Sequence, residues 1–286
     1  MLFRSLSIEE AFLQTTALPY GLKLKAGRFF SGIGYLNEQH AHTWDFADNP
    51  LPYSVMLNTQ YDDDGMQLRW LAPTATFIEL GSEVFRGDAF PAGGGKNAGL
   101  GAYSAFVHVG DDIGDSSSFG AGLSWLHTEA RNRANGADFF NGRDDLAIFD
   151  AVYKWAPDGN PVERNLKLQG EYFYRHEAGV LNGLGLRGDH QTGWYVQGAY
   201  QFIPRWRFGL RYDEVAAADP GSAFAGTTLD PRGATPHRES AMIDYSTSEF
   251  GRFRLQYTLD ESRPKTDHQA ILQYIISIGA HGAHSY

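Results

Sequence analysis

An all-β chain, closed as a transmembrane antiparallel β-barrel, is predicted by three features of this sequence. They are a period of two in hydrophobicity, segments near twelve residues long, and an alternation of short with long connections. In GMQLRWLAP, Met66, Leu68 and Trp70 share one face and Gln67 and Arg69 the other. FGAGLSWLH sets Phe119, Ala121, Leu123 and Trp125 against Gly120, Gly122 and Ser124. NLKLQGEYFYRH, WRFGLRYD and GRFRLQYTLD repeat the pattern, with Lys167, Glu171, Arg175, Arg207, Arg211, Arg252 and Arg254 on the polar face. Successive side chains of a strand point to opposite faces, so a period of two means β-structure.

Thirteen such segments fall at roughly 8–17, 20–30, 64–71, 75–86, 98–109, 117–128, 145–156, 163–176, 190–202, 206–217, 238–248, 251–262 and 268–279. A strand of about twelve residues rises about 40 Å and, tilted by about 40°, covers roughly 30 Å, the hydrocarbon thickness. Strands of soluble proteins run nearer five or six residues. Tight connections occur at 18–21, 72–74, 157–162, 203–205 and 249–251, and long ones at 31–63, 87–97, 129–144, 177–189 and 218–237. Short turns on one rim and long loops on the other are the habit of outer-membrane barrels. Thirteen is odd where bacterial single-chain barrels have even strand numbers. The segment 8–17 also enters from the long-loop side. A complete barrel of 14 or 16 strands, with N-terminal strands missing from this chain, is therefore expected. Residues 1–286 then form one domain, with the 31–63 connection as a loop folded into the pore.

Composition agrees and removes several function classes. The 286 residues carry a formal net charge of -10, which disfavours a nucleic-acid partner. Cysteine is absent, so there are no disulfides and no thiolate ligands or nucleophiles. No apolar run reaches the length of a membrane helix. Aromatics are plentiful, with 19 Phe, 15 Tyr and 6 Trp. Trp125, Tyr172, Trp194, Trp206 and Tyr257 sit near expected strand ends, as in the aromatic girdles of membrane proteins.

The candidate site is the wall of the barrel. Lys23, Lys25, Arg69, Glu79, Glu83, Asp150, Lys154, Lys167, Glu171, Arg175, Arg207, Arg211, Asp213, Arg252, Arg254 and Asp260 share the polar phase. A water-filled interior can solvate such charges and an apolar core cannot. Arg207, Arg211, Arg252 and Arg254 read either as a basic wall that attracts anions or as part of a self-paired polar network. Arg69, Lys167, Arg175, Glu79 and Glu83 complete the pore-lining set. His40 and His42, followed by Asp45 and Asp48, are weak metal candidates without a pinned spacing, and His268, His281 and His284 are weaker still. Asp62, Asp63 and Asp64 lack the spacing of a calcium loop and read as a solvated strand entrance. The GGGK at 93–96 precedes no helix and reads as a loop. No nucleophile elbow is present, Glu79 and Glu83 stand too far apart for paired-carboxylate catalysis, and no cofactor is expected.

LKAGRFFSGIGYLNEQHAHTWDF, GMQLRWLAPT, IELGSEVFRGD and LQYIISIGAHGAHSY resemble proteobacterial outer-membrane proteins related to the phosphate-selective porins. Some members of that set are labelled zinc-regulated TonB-dependent receptors. The resemblance implies passive diffusion of small hydrophilic solutes through a barrel embedded in outer-membrane lipid and lipopolysaccharide. It also implies a homotrimer, loops that constrict the pore, and lumen Arg and Lys that attract phosphate-like anions. Arg207, Arg211, Arg252 and Arg254 are the comparable residues here, although they match no defined family motif. A fragment or relative of a TonB-dependent uptake receptor, or an outer-membrane enzyme, are the rival functions. The chain has room for neither the 22 strands nor the plug of such a receptor.

Overall fold

The computed structural model describes residues 8–93, 99–216, 221–230, 235–248 and 250–276, apart from the side chains at 135 and 187–189. Thirteen strands form one sheet in sequence order: β1 (Ala11–Gln14), β2 (Leu22–Phe30), β3 (Asp62–Leu71), β4 (Phe77–Phe85), β5 (Ala102–Ile113), β6 (Ser117–Asn135), β7 (Asp138–Trp155), β8 (Asn165–Leu181), β9 (Leu184–Ile203), β10 (Trp206–Ala216), β11 (His237–Ser248), β12 (Gly251–Asp260) and β13 (Asp267–Ile276). Every pairing is antiparallel and joins sequence neighbours, so the sheet is a continuous meander. Among the described residues no ladder joins β1 to β13.

The two faces of this sheet invert the usual order of a soluble protein. Met66, Leu68, Trp70, Leu123, Trp125, Phe149, Tyr172, Val196, Phe208, Leu210, Leu255 and Tyr257 are exposed on the outer face. Glu83, Asp150, Glu171, Arg211, Asp213, Asp244 and Arg254 are buried on the inner one. A lipid-facing exterior and a polar interior account for that inversion. The inner face is concave. A single segment, residues 31–61 between β2 and β3, touches side chains of β2, β3, β4, β6, β8, β10, β11 and β12. One short segment can reach all of these only if the sheet is curled around it.

Two connections differ from the sequence-based expectation. Residues 129–144 and 177–189 are not long loops. They are continuations of β6–β7 and β8–β9, closed by tight turns at 136–137 and 182–183. Trp125 is the last apolar residue of the outer band on β6, and the strand runs on for about 25 Å past His127. In this upper part Glu129, Arg131 and Arg143 point outward, and Ala130, Phe140, Leu181 and Leu186 form a small interior core with Phe224. The hydrophobic phase therefore reverses where the strands pass the apolar band.

Asp63 is a further correction. It is fully buried and accepts hydrogen bonds from the backbone N–H of Gly87 (2.8 Å) and Asp88 (2.9 Å), tying down the start of the 86–101 connection. Its neighbours Asp62 and Asp64 pair with Arg28 instead.

Candidate functional site: the lumen and its insert

The insert is a folded unit. The side-chain amide of Asn37 donates to the carbonyls of Ser31 (2.7 Å) and Tyr61 (3.0 Å), and its oxygen accepts from the N–H of Tyr61 (2.8 Å). One buried side chain thus closes the neck of the loop. Pro50 and Pro52 flank the start of the insert's α-helical turn, α1 (Leu51–Met56), and proline is well suited to a first helical turn. The unsatisfied N–H of Leu51 donates to Asp213 on β10 at 3.0 Å, so a carboxylate of the wall caps the helix. Ile33, Leu36, Trp44, Leu51, Tyr53, Met56, Leu57 and Tyr61 pack with Phe29, Phe85, Phe173, Tyr195 and Val215 of the wall. This is the main apolar core of the molecule, and it lies inside the sheet's concavity.

Polar contacts fix the insert on two sides. On the β3–β8 side, Glu83 accepts from the N–H of Gly32 (2.9 Å) and from the hydroxyls of Ser31 and Ser104. Glu171 accepts from Tyr53 Oη (2.9 Å), Tyr195 Oη (2.6 Å) and the N–H groups of Tyr35 (3.2 Å) and Leu36 (3.1 Å). Gly34 must be glycine, since its φ is +63° and a Cβ would collide with Glu171 and the Tyr53 hydroxyl. Arg69 bridges Glu38 of the insert and Glu79 of β4.

On the β10–β12 side the insert meets the basic wall. Asp45 pairs with Lys167 (3.0 Å) and Arg207 (3.1 Å), and Asp48 pairs with Arg211 (2.9 Å) and Arg238 (2.9 Å). Arg254 donates to the carbonyl of Trp44 at 2.7 Å and Arg252 to that of His42 at 3.1 Å. Asp213 and Asp244 support the arginines from within the wall. Burial opposes ionisation of Asp45, yet Lys167 and Arg207 hold its carboxyl well below the usual carboxylate range. Arg211 and Arg238 do the same for Asp48 against its burial.

Arg69, Lys167, Arg207, Arg211, Arg252, Arg254, Glu79 and Glu83 thus all lie on the inner face around the insert. Arg175 does not join them. It sits higher, bound to Asp144 and Glu177, where Arg133 also pairs with Glu177 at 2.7 Å. The pairing of His40 and His42 with Asp45 and Asp48 as a metal set is overturned. Both aspartates turn into the basic wall, whereas His40 lies between Glu9 (3.4 Å) and Glu10 (3.1 Å) and stacks on His42. Among the described residues no three His, Asp or Glu side chains converge as a metal site. His268 bonds Tyr257 on β12–β13, and His281, His284 and residues 94–96 of the GGGK run lie outside the described residues.

Sequence reasoning passed over Glu38, Tyr53, Tyr195, Arg238 and Asp244. Arg238 and Asp244 share one inward phase of β11, a signal that could have found them. Nothing local marks Glu38 or Tyr53, whose roles come from the path of the insert.

No protein-family model matches the chain. An uncharacterized protein of Aquifex aeolicus (strain VF5) is 31% identical over 309 residues, covering 98% of this chain and 63% of that protein. The chain therefore spans less than two thirds of this relative's length. Among solved structures, outer-membrane expressed OmpT of Vibrio cholerae superposes with a TM-score of 0.54 at 13% identity, over 89% of this chain and 70% of that one. A loop L8 deletion mutant of the same outer membrane protein gives 0.51 at 14% identity, over 84% and 70%. At such identities the likeness concerns the fold alone. The sheet order, the inverted faces and these superpositions agree: this chain has the antiparallel β-barrel fold of outer-membrane proteins.

Proposed function

We propose that the chain sits in an outer membrane and acts as a porin-like passive diffusion channel for small hydrophilic solutes, narrowed by residues 31–61. The observation that carries this reading is the lumen wall. It is lined with charges under an apolar exterior, an arrangement that suits a polar passage beside the docked insert. On β10–β12 the wall itself presents Arg207, Arg211, Arg238, Arg252 and Arg254 against Asp213, Asp244 and Asp260, and Asp45 and Asp48 of the insert bring the carboxylates level. The arginine excess of the wall supports a preference for anionic solutes, in keeping with the resemblance to the phosphate-selective porins. Lipid and lipopolysaccharide would surround the outer band, and assembly as a homotrimer is part of the same proposal. No bond-making chemistry is invoked.

The test is single-channel recording in planar bilayers. The chain should give small, regular steps. A variant in which residues 35–57 are replaced by a short Gly-Ser bridge should give larger steps and stronger anion preference, because the arginines then lose Asp45 and Asp48. Absence of steps from both proteins would refute the channel reading. Steps from the shortened variant alone would make the insert a plug.

A further inference from the structure

One row of the inner face holds two unsatisfied polar groups side by side. The strand registers set Glu79 opposite His108, His108 opposite Gly122, Gly122 opposite Asp150, and Asp150 opposite Glu171, across β4 to β8. Gly122 is the gap in this row. A Cβ there would collide with the Asp150 carboxylate from one side and the His108 ring from the other. Both side chains therefore lean into the same notch. Asp150 is only 3% exposed. Its Oδ2 is buried and has no hydrogen-bond partner among the described residues, and the same is true of Nε2 of His108. A buried carboxylate oxygen and a buried imidazole nitrogen without partners are costly unless something binds them.

We propose that this notch is a binding site for a divalent transition-metal ion, held by Nε2 of His108 and the carboxylate of Asp150. The surroundings favour a cation over an anion. Glu79 and Glu171 flank the pair in the same row, and Arg69, the guanidinium nearest Glu79, is shared with Glu38. The imidazole is also held in orientation. Its ring stacks on Phe106 at 5.0 Å between centroids, and Glu79 Oε1 stands 3.9 Å from Nδ1. That separation is an ion-pair distance and too long for a hydrogen bond, so the stacking on Phe106 is what fixes the ring, with the Glu79 carboxylate near its far nitrogen. One nitrogen and one carboxylate suit zinc, nickel or copper better than magnesium or calcium, which prefer all-oxygen sets. No third His, Asp or Glu converges among the described residues, so water completes the coordination. Such a site exchanges its ion readily, as befits a stopping point on the lumen wall rather than a structural metal. The proposal stands whether or not the lumen conducts.

The experiment is zinc binding to the full chain in detergent, followed by equilibrium dialysis and calorimetry, with heat-modifiable gel mobility as the check of folding. Asp150→Asn and His108→Gln should each weaken zinc binding by about tenfold or more. The double variant His40→Ala/His42→Ala should bind as the unmodified chain does, and magnesium should not compete. If Asp150→Asn fails to fold, His108→Gln, at the less buried end of the notch, decides the matter. The proposal is overturned if the unmodified chain takes up no zinc at millimolar concentration. It is equally overturned if folded variants keep full affinity, which would leave water in the notch and place zinc elsewhere.

Discussion

Replacing Asp48 by Ala should loosen the insert without unfolding the barrel, and the size of the effect can be worked from its contacts. Asp48 Oδ1 accepts from Arg211 Nη2 at 2.9 Å and Gln256 Nε2 at 2.6 Å, and Oδ2 accepts from Arg238 Nη1 at 2.9 Å. Deleting one partner of a fully buried ion pair costs about 3–5 kcal/mol, because the remaining charge is stranded. Here the cost is smaller. The Asp48 side chain keeps 25% exposure, and both arginines retain Asp213 at 2.8 Å. A loss of about 2 kcal/mol in docking is the reasonable figure, which shifts the docked-to-undocked ratio about 30-fold. Backbone hydrogen exchange reads this directly. The N–H groups of Ser54 and Leu57 bond within the insert, to Pro50 and Tyr53. Their protection should fall by that factor, while amides of β7 and β8 keep theirs. Equal protection in the variant and the parent would refute the claim that ion pairs to the basic wall hold the insert in place.

Acid should act on the same latch, in a defined direction. Asp45 and Asp48 have depressed values in the docked state, so their contribution is complete above the ordinary aspartate value of about 3.9 and is lost as pH falls through the depressed ones. Exchange in the insert should therefore not rise from neutral pH down to about pH 4 after correction for intrinsic rates, and should rise below it; an opening near pH 6 would contradict the assignment. Gly34→Ala should destabilise docking by more than about 1 kcal/mol, since it combines a positive φ with a collision against Glu171 and Tyr53. Limited proteolysis should then cut within 35–57, and a variant as resistant as the parent would count against the fit described. Leu123→Arg, on the exposed outer face of β6, should cost about 2–4 kcal/mol of folding stability in lipid vesicles, read by denaturant titration. A neutral effect would argue that the outer band does not face hydrocarbon.

The barrel was legible in the sequence because its exterior contrast is written along each strand. Wherever Met66, Leu68 and Trp70, or Phe253, Leu255 and Tyr257, alternate with polar residues, the two faces must meet different solvents. All thirteen strands could be located this way, and Arg207, Arg211, Arg252 and Arg254 could be assigned to the inner face by phase alone. The upper halves of β6 to β9 were not legible. Beyond Trp125 the outer face carries Glu129, Arg131 and Arg143 and the inner face packs on Phe140 and Phe224, so the apolar phase flips and the alternation cancels. Nor could the sequence say what the wall charges meet. Phase tells that Arg211 and Glu171 point inward, but the partner is chosen by the path of residues 31–61 through the lumen. For these two wall residues the partners lie more than a hundred residues away in sequence, Tyr53 for Glu171 and Asp48 for Arg211. Periodicity is a local property of a strand and was fixed by the order of side chains. The pairing of Asp45 and Asp48 with the basic wall, the burial of Glu171 under Tyr53, and the notch between His108 and Asp150 depend on curvature that brings distant strands to one point, and tertiary structure alone decides that.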